Sequence, residues 1–466
     1  MKKIFLYFLT FVLVLNFFAG IASASTIENP DITATSCHGI DANNALLGTN
    51  KITDNVRAGF LFEANSQTVM YTLNPDQPMF PASLVKIMSA LLAIEQGNLT
   101  DEVVASDSAL SSISYDAVSI KLQVGEKMKL IDLIYSMIVG SANDSAAVIA
   151  EHISGNQDEF VVQMNQYAAK IGCTGTNFVN VHGMHHEEQV TTARDVARIL
   201  DKALQNKTFK KIFTTKQYKI EPTNMSDARS VSTNNDLLDN TSTLYFDSRV
   251  IGGRAGVTQD GRRCMAAAAE MNGMLLISVV MGTESVYQED GYSAISVGGY
   301  HETTALLDAG FKGYKAAQIM YANQPLEQFK VDGGACDLVI GPKEAISSVL
   351  PSDTTAENLT YHYTVSGLTA PISKGQKITD VQIWSENICV GEAEMYALNS
   401  VMPAGFTDTE IPHVNAKDIT EIISVFIGVI IGLVAVVTVI RLYRYIPVFF
   451  AKKRSKQYRR SHRRSQ

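Results

Sequence analysis

Pro81-Ala82-Ser83-Leu84-Val85-Lys86 is the stretch whose reading decides this fold. It sets a serine hydroxyl and a lysine amine three residues apart. Side chains at that spacing are neighbours on a helix surface, roughly 5–6 Å between Cβ atoms. Ile87, Met88, Leu91, Leu92 and Ile94 continue the stretch at helical spacing. Gly97 is placed to end it as a C′ glycine. Ser83 is therefore expected in the first turn of a mostly buried helix, where backbone N–H groups lack an intrahelical acceptor. A serine hydroxyl is a weak nucleophile until a base takes its proton. Lysine can be that base when burial lowers its pKa toward neutrality. Ser-x-x-Lys recurs by chance in many helices, so its weight depends on the rest of the chain.

The chain has 466 residues, 46% of them hydrophobic, with ordinary glycine and proline content. That is the composition of a globular chain with room for two or three domains. The ends differ from the middle. Residues 1–24 carry Lys2-Lys3, an apolar run from Ile4 to Phe18, and Ala22-Ser23-Ala24. This is the layout of a secretory signal peptide. Ile422 to Ile440 is an uncharged apolar run of 19 residues. At 1.5 Å per residue it just spans a hydrocarbon core of about 30 Å. Residues 441–466 come next, with ten Lys or Arg and no acid, the mark of a cytoplasmic flank. The expected topology is a body outside, one pass through the cell membrane, and a basic tail in the cytoplasm. Setting aside Lys2, Lys3 and the ten tail charges leaves 27 basic against 47 acidic residues, a net of −20 for residues 25–440. So acidic a body argues against nucleic acid as a partner. Cys37, Cys173, Cys264, Cys336 and Cys389 have neither C-x-x-C nor zinc spacing. They read mainly as small buried hydrophobes, with one disulfide open whose pairing the sequence does not choose.

Between the ends, residues 25–55 read as a polar lead-in. Two short strand runs, Ala58 to Glu63 and Thr68 to Leu73, flank a hairpin connection at Ala64-Asn65-Ser66-Gln67. After the Ser83 helix, Leu130 to Val139 reads as a second apolar helix. Another starts from Gly140-Ser141-Ala142-Asn143. Asn165 to Ala169, Thr192 to Leu204 and His301 to Ala309 also read as helical. Met265 to Ala269 and Met274 to Met281 are strands around Asn272-Gly273, the clearest hairpin signal in the chain. From about residue 328 to 398 the pattern turns to short β runs with Gly, Pro and Ser between them. The expected fold is α/β (α+β): a catalytic domain at 56–322 with an antiparallel sheet flanked by helices, then a small β-rich domain at 323–410. A linker at 411–421 and the transmembrane helix complete the order.

Two further motifs come after Ser83. Ser141-Ala142-Asn143 lies 58 residues later, and Arg254-Ala255-Gly256 lies on a strand-like segment leading to Thr258. Ser-x-x-Lys, Ser-x-Asn and Lys-Thr-Gly together form the signature of penicillin-binding proteins and class A β-lactamases. The chain resembles a low-molecular-mass penicillin-binding protein, a serine-type D-alanyl-D-alanine carboxypeptidase. Phe178-Val179-Asn180-Val181-His182-Gly183, Thr192-Ala193-Arg194-Asp195 and Leu306-Leu307-Asp308-Ala309-Gly310-Phe311 resemble further stretches of that family, in its order.

The resemblance implies roles. Ser83 attacks the carbonyl of the terminal D-Ala–D-Ala bond and Lys86 takes its proton. Ser141 relays a proton, and Asn143 holds the substrate amide. The N–H groups of Ser83 and Val257 form the oxyanion hole, and Arg254, Gly256, Val257 and Thr258 lie along the substrate. No cofactor or metal is implied. His182, His185 and His186, beside Glu187 and Glu188, lack H-E-x-x-H spacing and read as a solvated loop. Arg194-Asp195 reads as a structural ion pair at a helix start. The implied partners are peptidoglycan stem peptides, β-lactams as inhibitors, and the cytoplasmic membrane.

The third motif departs from the family. Arg254-Ala255-Gly256 stands where the family has Lys-Thr-Gly, and Gly299 stands where it commonly has an arginine. Arg254 keeps the positive charge and is expected to take a substrate carboxylate in a two-pronged contact. Ala255 lacks the hydroxyl that contacts that carboxylate in the family. Three functions stay open: a membrane-anchored carboxypeptidase, a non-catalytic wall-binding or scaffolding homologue, and a β-lactam hydrolase. The β-rich domain and the C-terminal span favour the first two.

Overall fold

The computed structural model describes residues 39–405, apart from 43–44, 49–54, 242–243, 260–261, 288–293 and 356–357. The expected signal peptide, the span at 422–440 and the basic tail lie outside the described residues. Among the described residues no helix is long and apolar enough to cross a membrane.

β1 (Ala58–Glu63) and β2 (Thr68–Leu73) form the hairpin expected around residues 64–67. β3 (Val250–Val257), β4 (Arg263–Met271) and β5 (Met274–Thr283) complete an antiparallel sheet in the order β2-β1-β5-β4-β3. Asn272 and Gly273 join β4 to β5 with φ of 51° and 81°. Two consecutive positive φ angles are what a type I′ hairpin turn requires.

The sheet separates two cores, and strand alternation assigns residues to each. Phe60, Phe62, Ala266 and Ala268 face the larger core. There they meet α1 (Val85–Gln96), α2 (Leu130–Ile138), α3 (Asn143–Ser154), α4 (Gln157–Lys170) and α5 (Ala193–Leu204). Leu61, Met265, Ala267 and Ala269 face the other way, toward Leu306, Leu307 and Phe311 of α6 (Tyr300–Gly313). Every residue of α1 from Val85 to Ala93 is buried. A helix apolar on all sides belongs in an interior, and this one carries Lys86 in with it.

The β-rich part contains β6 (Tyr314–Met320), β7 (Glu327–Phe329), β8 (Leu338–Pro342), β9 (Ile346–Pro351), β10 (Leu359–Tyr363), β11 (Lys377–Ser385) and β12 (Ile388–Ala397). Its main sheet runs β7-β8-β12-β11-β10, and β6 pairs separately with β9. The β6–β9 ladder crosses the boundary expected between residues 322 and 323, so β6 belongs structurally with the β-rich part.

Other expectations are corrected. Gly97 ends α1 with an extended backbone, φ −90° and ψ 154°, not the left-handed one of a C′ glycine. Glycine is needed there for space, since a Cβ would lie 2.4 Å from Leu130 Cδ2 and 2.7 Å from Ile153 Cδ1. The lead-in is partly core: Ile40 and Ala42 are buried, and their carbonyls accept from Arg194 Nη1. Arg194 and Asp195 turn to different partners. The guanidinium pairs with Asp76, while Asp195 accepts from Gly175 N and Thr176 Oγ1. The cysteines follow the expectation in the main: Cys173 and Cys264 are buried thiols, Cys389 takes up the disulfide that the sequence leaves open, and Cys336 is an exposed thiol.

Candidate active site

A short 3-10 turn, Ala82–Leu84, leads into α1 and presents Ser83 half-buried beside Lys86. Ala82 has φ +46°, a conformation costly for a side chain with a Cβ. Two glycines hold the turn from either side. A Cβ at Gly183 would lie 2.0 Å from Ala82 O, and one at Gly256 would lie 2.8 Å from Ser83 N. The loop after Phe178 and the third-motif strand β3 therefore both touch the backbone that carries the nucleophile.

Lys86 is fully buried. Its Nζ lies 3.3 Å from Ser83 Oγ and donates to Asn143 Oδ1 at 2.7 Å and to the carbonyl oxygen of His182. The last two partners only accept. A neutral amine has two N–H donors and one lone pair. Giving the donors to Asn143 and His182 leaves the lone pair for the Ser83 hydroxyl proton. The electrostatics favour that form. Burial pushes the Lys86 pKa well below the usual lysine value, the Arg254 charge pushes the same way, and Asp144 opposes them. Burial pushes the His182 pKa down to about 3, which keeps the imidazole neutral.

Ser141 sits in the turn between α2 and α3 with φ +62° and is buried. Asn143 begins α3, and its N–H donates to Val118 O at 2.8 Å. Asp144 anchors the facing loop, accepting from Ile120 N, Leu122 N and Ser145 N. Burial raises its pKa.

Arg254 lies in the middle of the alternately buried β3 and is itself 2% exposed. Nη1 donates to Ile138 O at 2.8 Å and Nη2 donates to Ser141 Oγ. Burial lowers its pKa to about 10. Both Nη atoms thus bond within the protein, while Nε is buried without a partner among the described residues. The reason is packing, because β3 turns this side chain inward against α2. Val257 is 54% exposed at the strand end, and the Thr258 amide and hydroxyl both donate to Arg262 O.

Ser83, Lys86, Ser141, Asn143, Arg254 and Gly256 are brought together, with Val257 and Thr258 at the rim. Phe80, Ala82, Gly183, Met184, Val257 and Thr258 line the cleft beside the turn. His182, read from sequence as part of a solvated loop, is instead buried, and its carbonyl holds Lys86. Asp144 is a second residue that sequence reasoning misses. Both sit in or beside stretches that resemble the family's, and that is the available signal. Among the described residues no group of three or more His, Cys, Asp or Glu side chains is placed to hold a metal.

A half-buried serine beside a buried lysine at a helix start, walled by a Ser-x-Asn turn and a cationic strand, fits a serine-type hydrolase site on a penicillin-binding fold. The D-alanyl-D-alanine carboxypeptidase family model matches residues 49–285, and the chain belongs to that family of serine-type hydrolases. The C-terminal domain of penicillin-binding protein 5 matches residues 314–402, making this a low-molecular-mass penicillin-binding protein. The D-alanyl-D-alanine carboxypeptidase DacA of Haemophilus influenzae is 29% identical over 382 residues, covering 80% of this chain and 92% of the relative. DacF of Bacillus subtilis is 25% identical over 365 residues, 77% of this chain and 89% of its own. The crystal structure of penicillin binding protein 5 from Haemophilus influenzae superposes with a TM-score of 0.63 at 28% identity, covering 76% of this chain and all of that one.

Proposed function

We propose that this chain removes the terminal D-Ala from peptidoglycan stem pentapeptides through an acyl-enzyme on Ser83. The carrying observation is the fully buried Lys86 amine, 3.3 Å from Ser83 Oγ and held by the acceptor-only Asn143 Oδ1 and His182 carbonyl, an arrangement that leaves a neutral amine's lone pair for Ser83. Neutral Lys86 takes the Ser83 proton as Oγ attacks the peptide carbonyl. The Ser83 and Val257 N–H groups receive the oxyanion; losing one such donor elsewhere costs about 10²–10³ in rate. Collapse breaks the C–N bond, and the proton on Lys86 passes through the Ser141 hydroxyl to the departing D-Ala amine. A water molecule, deprotonated by the same lysine, then cleaves the Ser83 ester and releases the shortened peptide. Arg254 fixes Ser141 in that relay, and its charge adds to burial in keeping Lys86 neutral. Asn143 orients both Lys86 and the substrate amide.

The same dyad takes β-lactams, whose strained amide places a carbonyl over Ser83. The apolar run at 422–440 and the basic tail support a single-pass anchor in the cytoplasmic membrane with the body outside, and a disulfide at Cys389 suits an oxidising compartment. A second reading, a wall-binding homologue without turnover, is favoured by one observation: Ala255 and Gly299 both lack the groups that hold a substrate carboxylate in the family. Incubating the chain with Lys- or diaminopimelate-containing pentapeptides separates the two. Release of D-Ala that is lost in Ser83→Ala supports hydrolysis, and no release from either peptide supports the second reading.

A further inference from the structure

Arg254 closes its fork on Ser141 and Ile138, and Ala255 has no hydroxyl, so the cleft needs another group for the substrate's C-terminus. Gly299 cannot accept an arginine without strain. Its φ is +96°, and a Cβ there would lie 3.3 Å from Met265 Cβ. A different guanidinium lies next to it.

Arg263 opens β4, and its Cα pairs with that of Val257 at the end of β3. Directly paired residues share a sheet face. Arg263 is thus on the Ala255–Val257 face, opposite the inward-facing Arg254 and Gly256. Its Nε donates to Ser285 Oγ at 3.2 Å, and the same oxygen accepts from Gly298 N at 3.3 Å. One hydroxyl thereby tethers the guanidinium to the residue before Gly299. Arg263 is half-buried, and among the described residues neither Nη has a hydrogen-bond or ion-pair partner. Its charge reaches Asp236 and Tyr300, which border the same face, without forming an ion pair. Its two free Nη atoms present the planar fork that a carboxylate accepts in two parallel bonds.

We propose that Arg263 reads the terminal carboxylate of the substrate, a guanidinium carried on β4 in place of one at the start of α6. The inference rests on the carboxypeptidase reading, since the leaving D-Ala supplies the carboxylate. Ala255 then leaves room for that carboxylate to slide along β3 toward β4, and Val257 forms its outer wall.

The test uses binding, which does not depend on turnover. The full-length Ser83→Ala chain in detergent is titrated with N-acetyl-Lys-D-Ala-D-Ala and with the same peptide amidated at its C-terminus. The acid should bind roughly ten- to a hundredfold tighter, the size of one charge-assisted contact. Adding Arg263→Gln should erase that preference, and adding Arg263→Lys should keep part of it. Retained preference in Arg263→Gln, equal weakening of both peptides, or no preference in the Ser83→Ala parent would each overturn the proposal. Thermal midpoints within a few degrees of the parent show that the variants fold; if Arg263→Gln does not, the Arg263→Lys result decides by the same criterion. D-Ala release by the unmutated chain is scored separately. Release with preference retained in Arg263→Gln refutes Arg263 alone, and no release with preference lost refutes hydrolysis alone.

Discussion

The two walls of the cleft are built on different terms. One wall, from α1, α3 and the His182 loop, surrounds the Lys86 amine with Ser83 Oγ, Asn143 Oδ1 and the His182 carbonyl. The other wall, β3 and the start of α6, keeps the family's strand and charge but changes three side chains: Arg254, Ala255 and Gly299. On the proposed function, the first wall activates Ser83, and the second selects what lies against it. These tasks separate physically, because lowering the Lys86 pKa needs burial and a nearby charge, whereas holding a substrate terminus needs an open fork. Arg254 satisfies the first requirement and, with its fork closed, not the second.

The largest effects should come from the first wall. Ser83→Ala should abolish covalent labelling by a fluorescent penicillin, and Lys86→Ala should slow it by about 10²–10⁴, the usual worth of a positioned base. Labelling of Ser83→Ala as strong as in the parent would remove the nucleophile assignment. The second wall is probed by Arg254→Ala. With its fork on Ser141 and Ile138, the substitution should slow hydrolysis of a free-acid peptide and its C-terminal amide alike, by about tenfold to a hundredfold each, for one charged hydrogen bond. A loss confined to the free acid would mean that Arg254 reaches the substrate, and the separation of the walls would fail there. Ala255→Thr fills the room through which the carboxylate reaches Arg263, so it should lower kcat/KM for the free acid by roughly two- to tenfold, the size of one neutral hydrogen bond, with little change for the amide.

Much of this is legible in residue order. Ser-x-x-Lys before an apolar helical run places the dyad, and Asn272-Gly273 places the β4–β5 hairpin, because both signals are local. The illegible part depends on partners far away in the chain. Lys86 meets the His182 carbonyl 96 residues on, and Arg254 meets Ile138 across 116 residues. Sequence predicts a cation at position 254 but not which way a strand turns it. Gly97 reads as a backbone device and proves to be a spacing device, since Leu130 and Ile153 close over it. The β6–β9 ladder is hidden for the same reason: a strand's partner is not written beside it.

A smaller effect arises from linkage. The folded pKa of Lys86 is depressed, so between that value and the unfolded value of about 10.4 the unfolded chain binds one more proton. Stability from this group therefore rises with pH across that window, by up to about 1.4 kcal/mol per unit. Lys86→Met removes the dependence. Unfolding free energy measured against pH should show the variant gaining on the parent as pH falls from 10 toward neutrality. Parallel curves would mean that Lys86 stays charged in the folded state.

The most direct test of a neutral, buried Lys86 serving Ser83 is the pH profile of acylation by a β-lactam, with the adduct located by mass spectrometry. The structure predicts an adduct on Ser83 and a rate that rises with pH to half its maximum well below the usual lysine pKa. An adduct elsewhere, or a rate that climbs only near pH 10.5, would contradict it.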